Sequence, residues 1–94
     1  MATKEFEELA LNGSNYPTWA SDIKIALASH SLLATIQEPQ TRVVLQDKHT
    51  YTALALLRFY IDKDLKSEYL MIENPRELWV ALKERYEQQK TYLA

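Results

Sequence analysis

Glycine occurs only once in this chain, at Gly13, and proline occurs only three times among its 94 residues. An all-β meander needs many tight turns, and glycine and proline are the residues that most often form them. The scarcity of glycine and proline therefore disfavours a sheet of many short strands. We therefore expect an all-α fold, a small bundle of four to five helices.

The length and composition of the chain fit one compact domain. Ninety-four residues lie just above the size at which a single hydrophobic core becomes marginal. A hydrophobic fraction of 47%, with two Trp, six Tyr and two Phe, supplies enough apolar surface for that core. We expect residues 1–8 to form a flexible lead-in, residues 9–90 a single helical domain and residues 91–94 a tail.

The pattern of charge disfavours some partners. Eleven basic and 13 acidic residues are scattered along the chain and give a net charge of −2. Because nucleic-acid affinity depends largely on clustered Lys and Arg, we expect no direct nucleic-acid binding. The N-terminus is charged where a signal peptide would be apolar, and no stretch approaches the roughly 18 apolar residues of a membrane span. We therefore expect no membrane partner and a cytoplasmic location, with the nucleus still open.

A turn and a helix start lie between residues 11 and 19. The Asn12-Gly13 pair is typical of a turn, and the fixed φ of Pro17 suits the first turn of a helix. The spacing of the apolar residues then predicts a first helix from about Pro17 to about Ser31. The predicted apolar stripe consists of Tyr16, Trp19, Ile23, Ala26, Leu27 and His30.

A second helix is predicted in the middle of the chain, where residues 53–61 are apolar except for Arg58. A helix that is apolar around its circumference is normally buried by neighbours on more than one side. We interpret this segment as a central helix from about Gln46 to Ile61, with a β-strand as the competing interpretation. Pro39 marks a loop before it. The ambiguous residues 42–45 are interpreted as the start of a helix that continues past Asp47.

Two capping signals predict the remaining helices. Asp62 suits the N-cap of a short helix that contains Leu65. Residues 74–77 read Asn-Pro-Arg-Glu, in which Asn caps, Pro occupies the first helical position and Glu can reach back to the cap. This last helix is expected to extend to about Gln89 or Lys90. Its apolar face contains Leu78, Trp79, Leu82 and Tyr86.

The sequence offers no constellation of catalytic or metal-binding residues. The absence of cysteine excludes disulfides and thiolate metal sites, and a single glycine cannot form a phosphate-binding loop. His30 and His49 are the only histidines, and we interpret His30 as a partly buried residue at a helix end rather than a catalytic base. Asp62 and Asp64 lack the further ligands of a calcium loop. We therefore expect a protein that is not an enzyme, with no cofactor, no metal and no small-molecule substrate.

Several stretches, in this order and spacing, resemble the N-terminal Gag region of Copia-type retrotransposons, in the plant Copia-like branch. The resemblance covers about residues 9–90, and each stretch is a weak pattern by itself. The stretches are Leu11-Asn12-Gly13-Ser14-Asn15-Tyr16 with Trp19, Ile23 and Leu27; then Ile61-Asp62-Lys63-Asp64-Leu65; and finally Pro75-Arg76-Glu77-Leu78-Trp79 with Leu82 and Tyr86.

The resemblance implies a fold and a role. In that family this region is the N-terminal part of an all-helical capsid-like protein that self-associates into particles around element RNA. Family proteins continue into a second helical domain and often a zinc knuckle, neither of which these 94 residues contain, so full particle assembly is not expected of this chain alone. The resemblance marks ten residues as family signature and core: Leu11, Gly13, Tyr16, Trp19, Ile23, Leu27, Leu78, Trp79, Leu82 and Tyr86.

Our leading hypothesis is a capsid-type domain that associates with other copies or other Gag-like chains. A chain of marginal size is not expected to bury all of its large aromatic side chains, such as Trp19, Trp79, Tyr86 and Tyr92, and exposed aromatics mark interfaces. The alternative is a monomeric, domesticated adaptor that holds a partner peptide in a groove between helices. An open apolar groove that residues 9–11 leave unfilled would favour the alternative. Helix-turn-helix DNA binding is disfavoured because no helix is strongly basic.

Overall fold

A computed structural model describes residues 4–40 and 44–93, with side chains up to Glu87. The fold of this part of the chain is helical, as predicted, and its only extended pairing is an isolated parallel bridge between Leu9 and Ile61. The elements in chain order are α1 (Tyr16–Ser29), a 3-10 turn (Leu33–Thr35), α2 (Asp47–Phe59), α3 (Lys63–Glu68) and α4 (Pro75–Leu93).

Helix α1 buries the predicted stripe at four positions, Tyr16, Trp19, Ile23 and Leu27. It ends at Ser29, two residues earlier than predicted. His30 is the C-cap and is exposed, so the prediction of a partly buried histidine is wrong.

The end of α1 is a Schellman motif without glycine. The N–H of Leu32 donates to the carbonyl of Leu27 at 2.7 Å, and the N–H of Ser31 donates to the carbonyl of Ala28 at 3.0 Å. This pairing requires a left-handed residue after the cap, and Ser31 has φ +59°. Leu27 and Leu32 are both buried and provide the apolar contact that accompanies the motif.

Helix α2 begins at Asp47, because Gln46 adopts an extended conformation and Asp47 places a carboxylate in the first turn. Val44 and Leu45 precede the helix and are exposed, Val44 at 88%. The prediction that residues 42–45 begin the helix is therefore wrong for 44 and 45, and residues 42 and 43 lie outside the described residues. The prediction of a central helix is confirmed, since α2 contacts α1, the 3-10 turn and α4.

Helices α3 and α4 both start at the predicted caps. The Oδ1 atom of Asp62 accepts a hydrogen bond from the N–H of Asp64 at 2.8 Å, and Oδ1 of Asn74 accepts from the N–H of Glu77 at 3.1 Å. Both bonds occupy main-chain donors that a helix start leaves without partners. Helix α4 continues to Leu93, which is longer than predicted and includes most of the expected tail.

The segment before α1 packs on the end of α2. Leu9 is fully buried; its N–H donates to the carbonyl of Tyr60 at 2.8 Å, and its carbonyl accepts from the N–H of Asp62 at 2.9 Å. The ring of Phe6 stacks on Tyr60 with centroids 4.0 Å apart. The flexibility of the lead-in remains a prediction, and residues 1–3 lie outside the described part.

The core lies between α1, α2 and α4 and has an indole pair at its centre. The rings of Trp19 and Trp79 stack with centroids 5.9 Å apart, and Nε1 of Trp19 donates to the carbonyl of Tyr60 at 2.7 Å. Trp19 is therefore held by apolar packing and by a buried hydrogen bond. The fully buried large side chains are Leu9, Trp19, Ile23, Leu27, Leu57, Leu65, Leu78 and Leu82, together with Pro75.

We expect the substitution Trp19→Ala to lower the free energy of unfolding by roughly 3–5 kcal/mol, as other large-to-small core changes do. Trp19→Phe keeps most of the packing and loses the indole N–H, so its expected cost is smaller, about 1–3 kcal/mol. Urea denaturation followed by far-ultraviolet circular dichroism measures both. A loss below about 1 kcal/mol for Trp19→Ala would contradict the core position of this side chain.

The left-handed conformation of Ser31 predicts a stabilising substitution. Ser31→Gly should raise the free energy of unfolding by about 1 kcal/mol, because glycine adopts positive φ without the Cβ penalty. Ser31→Ala is the matched control and should not stabilise the protein, since alanine keeps that penalty. Thermal unfolding of the three proteins measures the difference. Equal shifts for glycine and alanine would contradict the assigned conformation.

Candidate interaction surfaces

The turn before α1 is closed by a glycine that lies against an aromatic ring. Gly13 has φ +73°, and its N–H donates to the carbonyl of Ala10 at 2.9 Å. A Cβ atom at this position would lie 2.1 Å from a ring carbon of Tyr86. The backbone conformation and the close approach of α4 therefore both require glycine.

The side chain of Asn15 ties the lead-in to the start of α1. Its Oδ1 atom accepts from the N–H of Ala10 at 2.9 Å, and its Nδ2 donates to the carbonyl of Glu8 at 2.9 Å. Asn15 precedes the helix but makes no side-chain cap bond to it. This role could not be predicted from the sequence, because an Asn two residues before Pro17 is equally compatible with a helix cap.

Two of the ten residues that the resemblance marks, Leu11 and Gly13, are not in the buried core. The side chain of Leu11 is 41% exposed, which corrects its assignment to the core; only its carbonyl is engaged, by the hydroxyl of Tyr86 at 2.6 Å. The residue lies in the turn that precedes α1. Eight of the other signature residues are buried: Tyr16, Trp19, Ile23, Leu27, Leu78, Trp79, Leu82 and Tyr86.

The prediction that the four named aromatic side chains are not all buried stays a prediction, although three of the four are buried. Trp19, Trp79 and Tyr86 are buried because they pack around the α1–α4 contact, and the side chain of Tyr92 lies outside the described residues. Other apolar side chains are exposed instead: Leu11, Ile25, Val44, Leu45, Tyr51, Leu70 and Met71.

Three of these exposed residues, Tyr51, Leu70 and Met71, lie on one side of α2. Tyr51 is 58% exposed and borders an open hollow of about 380 Å³. Nη2 of Arg58 donates to the carbonyls of Leu70 and Ile72 at 2.9 and 3.1 Å, which holds the turn containing Met71 on this side of the helix. We call the surface formed by the hollow and this turn the α2 face. The hollow is lined by Tyr51, Leu54, Ala55, Arg58, Phe59 and Lys66.

A second concave surface lies between α1 and α4 and has a volume of about 250 Å³. Its floor is aromatic and its rim is charged, with Nζ of Lys24 5.5 Å from the ring centroid of Trp79. Lys83 and Glu87 form a surface ion pair at 3.9 Å. The residues that line this α1–α4 groove are Tyr16, Pro17, Ala20, Lys24, Trp79, Lys83 and Glu87, so residues 9–11 do not fill it.

Charged and hydroxyl groups on α4 interact with α1 and with the end of α3. Burial, reinforced by the charge of Glu87, raises the pKa of Tyr16 to about 12. The guanidinium of Arg85 donates to the hydroxyl of Tyr69 at 3.2 Å and to the carboxylate of Glu68. These bonds, which raise the pKa of Arg85 further, hold the end of α3 against α4.

The described residues contain no group of three or more His, Asp or Glu side chains that could hold a metal ion. Their helices also include none that is long and apolar enough to cross a membrane. Comparison of the chain with protein-family models, with curated proteins and with solved structures finds no match.

The contact between Gly13 and Tyr86 predicts a strongly non-additive pair of substitutions. Gly13→Ala should lower the free energy of unfolding by about 2–5 kcal/mol, through left-handed strain and the clash with the ring. Removing the ring with Tyr86→Leu should relieve part of that cost in the double variant. Exposed Ser14→Ala in the same turn is the control and should change stability by less than about 0.5 kcal/mol. Strictly additive losses in urea denaturation would contradict the contact.

Proposed function

We propose that this chain is a Gag-like, capsid-type helical domain that associates with other copies of itself or with other Gag-like chains in the cytoplasm, and that it is not an enzyme. The resemblance of residues 9–90 to the Copia-type Gag region and the helical fold support this proposal. The observation that carries it is the α2 face, where exposed Tyr51 borders an open hollow.

The α2 face has the shape of a self-complementary contact. In a two-fold dimer the same patch lies on both subunits, so a side chain that projects must fit a hollow in its own surface. Tyr51 is 58% exposed at the open hollow and is the side chain that we expect to enter the hollow of the partner copy. Exposed Ala55 lies one turn further along α2, and its small side chain allows two such helices to approach closely.

The chemistry of the hollow suits an incoming tyrosine ring. Arg58 and Lys66 both line it, and cationic groups are attracted to the face of an aromatic ring. Aromatic residues bury large areas and are enriched at the centres of interfaces. At the edge of the face, Met71 is 90% exposed, and flexible methionine side chains adapt to a partner surface.

We expect the protein to sediment with a mass that rises with concentration, and Tyr51→Ser to weaken this self-association by roughly tenfold or more, as removal of an interface anchor does. Ile25→Ser is the matched control, because Ile25 is also exposed but lies on α1. Sedimentation equilibrium over a concentration series measures both. A strict monomer at high concentration, or equal losses for both variants, would contradict the proposal.

The alternative function is a monomeric adaptor, and the open α1–α4 groove is the observation that favours it. The groove has an aromatic floor formed by Tyr16 and Trp79, and residues 9–11 do not fill it. A groove of this size fits one or two side chains of a partner peptide. A monomer whose Trp79 fluorescence responds to an added peptide would favour the adaptor over self-association.

A further inference from the structure

Four cationic side chains surround a separate hollow at the C-terminal end of α2, of about 420 Å³, which adjoins the α2 face. We call it the basic hollow. It lies where the lead-in, the end of α2 and the start of α3 meet. Its lining residues are Lys4, Glu8, Arg58, Phe59, Ile61, Asp62, Lys63 and Lys66.

The basic hollow carries positive charge on a protein that is acidic as a whole. Four cations and two carboxylates line it, which leaves seven basic and eleven acidic residues for the remainder of the chain. Glu8 lies 3.7 Å from the Nζ atom of Lys4, and Asp62 uses Oδ1 to cap α3. The positive charge at Arg58, Lys63 and Lys66 therefore exceeds the negative charge available within the hollow.

The positions of the cations suit a ligand with several carboxylates. Lys63 and Lys66 are exposed and three residues apart on α3, so they lie on one side of that helix. Arg58 is fixed by the two hydrogen bonds that its Nη2 donates to main-chain carbonyls. The N–H groups on Nη1 and Nε remain as donors toward a ligand. The half-buried side chain of Phe59 lies beside these charges.

We propose that the basic hollow binds an acidic peptide segment of a partner protein. Carboxylates of the segment pair with Lys63, Lys66 and Arg58. This binding does not use the Tyr51 side chain, which does not line the basic hollow.

The surroundings of Phe59 favour a peptide over a nucleic acid. Single-stranded nucleic acids stack their bases on free aromatic faces. The ring of Phe59 is covered by the Nζ atom of Lys4 at 4.2 Å and packs edge-on against Tyr60. Beyond the hollow the chain carries more acidic than basic residues, which repel a long polyanion. A short acidic segment meets neither obstacle.

Fluorescence anisotropy tests the proposal with a short fluorescein-labelled peptide of Glu and Asp, at low salt. We expect saturable binding that Lys63→Glu with Lys66→Glu weakens by roughly tenfold or more. Lys24→Glu with Lys83→Glu is the matched control, because it changes the net charge equally but lies at the α1–α4 groove. This control should weaken binding by less than about twofold, as removal of distant, screened charges does.

Equal losses in the two double variants, or tighter binding of an oligouridylate of the same length, would overturn the proposal. Absence of peptide binding to the unmodified protein at low salt would also overturn it. Circular dichroism establishes that both variants are folded, and Lys63→Gln with Lys66→Gln provides a milder change that must also weaken binding. Tyr51→Ser should leave peptide affinity unchanged, so failure of self-association and failure of this site are distinguishable.

Discussion

The main-chain carbonyl of Tyr60 is the point at which three parts of this chain meet. Helix α2 ends at Phe59, and the last carbonyls of a helix have no partner within it. The oxygen of Tyr60 accepts from Nε1 of Trp19 at 2.7 Å and from the N–H of Leu9 at 2.8 Å. Because a buried carbonyl without partners is costly, these two donors fix α1 and the lead-in on the end of α2. The stacking of Trp19 on Trp79 then connects the same point to α4.

Features set by neighbouring residues could be predicted from the sequence, and features set by distant contacts could not. The caps at Asp62 and Asn74 are local, since each side chain bonds a main-chain N–H two or three residues later. The predicted end of α1 was two residues too late. The left-handed residue that follows the helix cap is usually a glycine, which makes it recognisable in a sequence, but here it is Ser31. The neighbouring residues do not show why glycine is required at position 13, because the ring that excludes a Cβ atom there belongs to Tyr86 on α4.

The residues that carry the family resemblance form the fold, whereas other residues line the two surface hollows. The segment from Leu11 to Trp19, which carries much of the family resemblance, is used in a turn, a helix start and a core contact. The α2 face and the basic hollow instead share Arg58, Phe59 and Lys66, none of which belongs to the ten signature residues. Neither surface could be predicted from the sequence, because the cations and apolar residues that form it come from separate elements and converge only after folding.

Hydrogen exchange of the Trp19 indole N–H, compared with that of the Leu9 amide, tests the role of the Tyr60 carbonyl most directly. Both groups donate to the same oxygen, which lies more than 40 residues further along the chain. If that oxygen holds the fold together, both protons exchange only through global unfolding, and their exchange free energies equal that of urea denaturation. Exchange of either proton through a local opening, with a free energy well below the global value, would contradict the account.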